Sequence, residues 1–173
     1  MKPSNKIPVL DALNTVINKA FATLAAIALT GLMLLTVVDI VLRNVGMQVA
    51  GSFELIGWLS ATSMGLALGY VQLHKGHVAV TAISERFQGR VAAGADFVNS
   101  ALALILVVLL TYYTIRLGIM QKATGSLSET LRFLVYPWVF ILAAGLGGLA
   151  LALLADCLRA LVTLFNHKSV TRT

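Results

Sequence analysis

The stretch AFATLAAIALTGLMLLTVV, residues 20–38, carries no charged side chain, and the chain runs on from it into DIVLRN, Asp39 to Asn44. At about 1.5 Å per residue, a helix of this length nearly covers a hydrocarbon core of roughly 30 Å. Three more charge-free runs follow, at 55–73, 97–115 and 133–155. The composition agrees with them. Of 173 residues 58% are hydrophobic and 12% charged, with a mean hydropathy of +0.89, whereas soluble domains are about a quarter charged. The pattern predicts an all-α membrane protein: TM1 over 20–42, TM2 over 53–73, TM3 over 95–117 and TM4 over 133–158, with a tail at 159–173. The first run is longer than the apolar part of a signal peptide and no A-x-A site follows it, so it reads as a retained helix.

The formal charge is +6, but the basic residues are scattered through loops and tails, which suits membrane orientation better than nucleic acid. With the N-terminus inside, nine Lys and Arg fall on the cytoplasmic side and four on the outer side. That bias predicts both termini in the cytoplasm. Cys157 is the single cysteine, so no intrachain disulfide is expected.

Shorter elements fill the connections. Residues 9–19 have apolar positions at helical spacing, with Asp11, Asn14 and Asn18 on the other side, as in an interfacial helix leading into TM1. Ser52 is placed to cap TM2. In HKGHVAVTAISERFQGR (74–90), Val80, Ile83 and Phe87 share a face, which predicts a second interfacial helix at 78–88. There Arg86 and Arg90 are positioned to reach anionic headgroups. The connection at 116–132 reads as partly extended. No internal repeat is visible and nothing is long enough for a soluble domain.

Few residues carry chemistry. Asp39 and Arg43 are four apart, acid first, the favourable order for a helical pair. They form either a local ion pair at the membrane surface or a fastening against another protein, since ionisable groups in spans face protein or water. Glu54 opens TM2, where the helix dipole suits a carboxylate, and a pair with Arg43 across the short turn is also feasible. Gly65 and Gly69 form a GxxxG, continued by Gly57 and Ala61, with Ala144, Gly145, Gly147 and Gly148 on TM4. Such residues let helices approach closely, within this chain or against a partner. His74 and His77 lack the further ligands a metal or haem would need, and interface hydrogen bonding fits His77 better. Trp58, Tyr112, Tyr113, Tyr136 and Trp138 read as interfacial aromatics. No nucleophile with a base, phosphate loop or metal signature appears. The expectation is a protein that is not an enzyme and has no cofactor.

Taken in order, DIVLRN (39–44), GSFELIGWL (51–59) and LGYVQLHKGHVAVTAI (68–83) resemble the small, four-helix membrane subunit of the TRAP (tripartite ATP-independent periplasmic) transporters. The resemblance covers roughly residues 30–150 and rests on Asp39, Arg43, Glu54, Leu55, Gly76, His77, Val78 and Val80. It implies two partners, a large multi-span subunit and a periplasmic substrate-binding protein, and a bacterial inner-membrane location among lipids. It also implies sodium-driven uptake of an organic acid such as a dicarboxylate or sialic acid, with this subunit as a static brace. Asp39, Arg43 and Glu54 would then set geometry on the outer side, and His77 with the 78–88 helix would shape the cytoplasmic side. Two other readings remain: a self-contained small transporter working as a homodimer through Gly65 and Gly69, and a respiratory membrane anchor.

Overall fold

The computed structural model describes residues 8–74 and 90–166, with side chains over 12–74 and 97–161. These residues form four helices: α1 (Pro8–Asn44), α2 (Ser52–Leu73), α3 (Arg90–Thr124) and α4 (Tyr136–Asn166). The described residues contain no strand, and an isolated bridge joins Leu127 to Leu134 in the α3–α4 connection. Hydroxyls inside the apolar runs are satisfied by their own helix, which is what permits Thr there. Thr30 donates to the Ala26 carbonyl, Thr36 to Leu32, Thr62 to Trp58 and Thr111 to Val107, at 2.7–2.9 Å.

The helices lie in the order α1, α2, α4, α3, with α1 also reaching α4. Val107, Leu149 and Leu153 centre the core, flanked by Leu68, Ala103, Leu104 and Ala150. One end of the bundle carries the α1–α2 turn and the α3–α4 connection, and is called here the turn end. The opposite end holds the start of α1 and the end of α4, the terminus end. Outward faces are strongly apolar: Ile27, Met33, Leu34, Leu102, Leu106 and Met120 are all more than half exposed. An apolar surface this extensive belongs against lipid or another protein.

Three helical stretches are long and apolar enough to cross a membrane: Ala12–Asn44, Phe97–Thr124 and Tyr136–Leu161. α2 is not among them, although four spans were expected. Its 22 residues are long enough, but Gly57, Gly65, Gly69, Ser60, Ser63, Thr62 and Gln72 dilute its apolarity. Several of them, Thr62, Ser63, Gly65 and Gly69, are buried against neighbouring helices.

Two local expectations are corrected. Ser52 does not cap α2: the N-cap is Gly51, in the left-handed region at φ 73° with no side-chain cap bond, and Ser52 is the first helical residue. Residues 9–19 do not turn their amides outward. They continue unbroken into α1, with Leu13 and Val16 exposed and Asn14 and Asn18 buried. Polar-outside patterning presumes water, and in this bundle the amides find their partners inside. Pro137 is the second residue of α4, where a missing amide hydrogen costs no intrahelical bond.

Candidate structural and partner-interface site

Polar side chains gather at two levels. At the turn end Arg43 donates from Nε to Asp39 Oδ2 at 3.0 Å, and its Nη2 lies 2.9 Å from the same oxygen. The Asp39 side chain is 7% exposed and that of Arg43 39%. The guanidinium also sits 4.8 Å over the ring of Phe53 at the start of α2, a cation–π contact that ties α1 to α2. The second carboxylate oxygen of Asp39 is buried with no hydrogen-bond partner among the described residues.

Glu54 does not close onto Arg43. It turns to the α3–α4 connection, accepting from the Ser128 hydroxyl, from the Thr130 amide at 2.9 Å and from the Leu131 amide at 3.4 Å. Leu131 completes the clasp sterically: a Cβ on Gly51 would lie 2.3 Å from its Cγ, so the glycine at positive φ is also the seat of that side chain. α2 is thereby joined to the connection that enters α4. Beside it Trp58 and Trp138 stack with centroids 5.6 Å apart and planes at 27°, lining a small apolar cavity of about 80 Å³ with Ala61, Thr62, Val139 and Leu142.

Midway, α2 and α4 meet backbone to backbone. A Cβ on Gly145 would stand 2.5 Å from the Gly65 carbonyl carbon and oxygen, and one on Gly69 would stand 3.0 Å from the Gly148 carbonyl carbon. Gly65 and Gly69 therefore face a helix of the same chain. Gly57, in contrast, has open space at its Cβ position, and Ala61 is exposed.

At the terminus end Asn18, fully buried, donates from Nδ2 to the Asn14 carbonyl (3.0 Å), to Asn14 Oδ1 (2.6 Å) and across to the Gly148 carbonyl on α4 (3.3 Å). Farther along, Gln72 Nε2 donates to Asp156 Oδ2 at 2.8 Å, and Arg159 pairs with Asp156 Oδ1 at 3.2 Å. Sequence reasoning overlooked this group and Ser128. For Gln72 and Asp156 the only signal was a polar residue at the end of an apolar run, and Ser128 gave none. His77 and Arg86 lie outside the described residues. Arg90 begins α3, but its side chain lies outside the described set. His74 ends α2 with Nδ1 3.1 Å from the Tyr70 carbonyl oxygen. No group of three metal-binding side chains occurs among the described residues.

The fold and these contacts define an all-helical membrane component whose described polar groups mostly join one part of the chain to another. Over residues 32–163 the sequence matches the family model described as tripartite ATP-independent periplasmic transporters, DctQ component, and the chain belongs to that family. It is thus a transporter component and not an enzyme. Comparison with curated proteins and with solved structures gives no match.

Proposed function

We propose that this chain is the small scaffold subunit of a TRAP secondary transporter in the bacterial inner membrane. It braces a large multi-span transport subunit during cation-driven uptake of an organic acid, a dicarboxylate, sialic acid or similar, handed over by a periplasmic binding protein. Sodium is the coupling ion in this reading. All four helices cross the membrane, both termini are cytoplasmic, and Asp39, Arg43, Glu54, His77, Arg86 and Arg90 serve geometry and partner contact.

The observation that carries the reading, beside the family, is where the polarity goes. One oxygen of Asp39 is engaged by Arg43, Glu54 by the Ser128–Leu131 backbone and hydroxyl, and Asp156 by Gln72 and Arg159. Groups engaged in this way hold helices in place, while the apolar exterior offers a wide face to another membrane protein. A carrier of organic anions needs the reverse, polar groups lining a water-filled route.

Gentle-detergent purification from the native membrane, with mass-spectrometric identification of what travels with the chain, tests this. A large multi-span protein at equal stoichiometry is expected, and Asp39→Ala should lower its recovery. A chain recovered alone or as a homo-oligomer would overturn the scaffold reading and favour a self-contained transporter.

A further inference from the structure

We propose that Asn18 is the residue that fixes the register of α1 on the bundle, acting as a specificity device more than as a source of stability. It sits in a slot shaped by two glycines on two other helices. A Cβ on Gly69 of α2 would stand 1.8 Å from Asn18 Oδ1, and one on Gly148 of α4 would stand 2.9 Å from the same atom. Its amide nitrogen reaches the Gly148 carbonyl at 3.3 Å, bonding α1 to α4. One residue thus contacts both neighbours of α1 at a point where neither presents a side chain.

Apart from Arg43 over the Phe53 ring at the turn end, the rest of α1 is poor at defining its own height. Ala25 is small and buried, and Phe21 lies against Gly148, but such apolar contacts can slide. In lipid no hydrophobic force distinguishes one apolar register from another. A slip of one turn, about 5.4 Å, would keep helix-on-helix packing while carrying Asp39 and Arg43 out of level with Phe53. The amide cannot follow such a slip without leaving its slot and its acceptor.

Asn18 also carries a disadvantage that marks its role. Its Oδ1 is buried without a donor among the described residues, and the Asn14 Nδ2 beside it is buried without an acceptor. An unsatisfied buried acceptor is destabilising, so an apolar side chain of the same size would be the better choice if stability were all that the position served. Buried polar groups that select register at a cost in stability are known from coiled coils.

The test uses the full chain in lipid nanodiscs, with Cys157→Ser and spin labels on the exposed positions Val41 of α1 and Leu151 of α4. These two differ in height, so a slip along the axis changes their separation directly. Asn18→Leu is expected to keep or raise the thermal midpoint while shifting or broadening the label distance by about one helical turn. A single unchanged distance in Asn18→Leu, whether the midpoint falls or holds, would overturn the proposal. The same labels in the otherwise unaltered chain should give one narrow distance, and a broad distribution there would overturn it as well. The inference concerns α1 within this chain and does not depend on which partner the chain braces.

Discussion

Asp39 and Glu54 look alike in the sequence, two carboxylates near the ends of apolar runs, yet they do different work. Asp39 acts locally with Arg43, a partner one turn away. Its removal should cost more than the ~0.3–0.5 kcal/mol of an exposed helical pair and less than the ~3–5 kcal/mol of breaking a buried one, because Arg43 stays partly exposed. Thermal denaturation of Asp39→Ala in detergent would measure it. Glu54 acts at long range, 74 positions from Ser128. Glu54→Ala should release the clasp without unfolding α2, so the Thr130 and Leu131 amides should exchange hydrogen several-fold faster. Unchanged protection at those two amides would show that the connection holds itself. The contrast marks what was legible beforehand. The Asp39–Arg43 pair follows from spacing on one helix, whereas Glu54's acceptor role depends on a connection whose path no local pattern encodes. Asn18 was misread for a related reason: its partner is a backbone carbonyl, which has no signature in the sequence.

The small residues of α2 show how a pattern holds locally and fails over distance. A repeat of four on a helix of 3.6 residues per turn drifts by about 40° at each step. Gly57 and Gly69 therefore face different directions, although Gly57, Ala61, Gly65 and Gly69 read as one stripe. Gly65 and Gly69 meet α4, and Gly57 meets nothing within 4 Å. Two substitutions separate these environments. Gly145→Ala drives a methyl toward the Gly65 backbone, which cannot rotate away, and should destabilise by roughly 1–3 kcal/mol. Gly57→Ala meets open space and relieves the helix of a flexible residue, so it should be neutral or stabilising by up to about 1 kcal/mol. Thermal midpoints of the two variants, in one detergent, decide it. Equal effects would mean that the α2–α4 seam is looser than its backbone contacts indicate. The four apolar runs did locate all four helices. Their ends moved, with α3 running on to Thr124 and α4 to Asn166, since charges and polar residues end a hydrophobic run without ending a helix.

For the molecule as a whole, the number of crossings sets the topology. α1, α3 and α4 each contain a stretch long and apolar enough to span, and α2 does not. α2 is nevertheless tied to its neighbours at both of its ends, by Glu54 to the α3–α4 connection and by Gln72 to Asp156 of α4. Those attachments are 18 residues apart, about 27 Å of helix, close to the hydrocarbon thickness. In the proposed reading, a helix fastened at two such levels beside three helices long and apolar enough to span crosses with them. Its modest apolarity is then no obstacle, because part of its surface meets protein instead of lipid. The number of crossings has a direct consequence: four put both termini on one side, and three put them on opposite sides. Reporter fusions active only in the cytoplasm, placed in turn at the N-terminus, after residue 48 and at the C-terminus, should be active, inactive and active. A C-terminal fusion silent while the N-terminal one is active would remove α2 from the membrane, and activity both at the N-terminus and after residue 48 would remove α1. The first result would also separate the two polar levels that the bundle holds together.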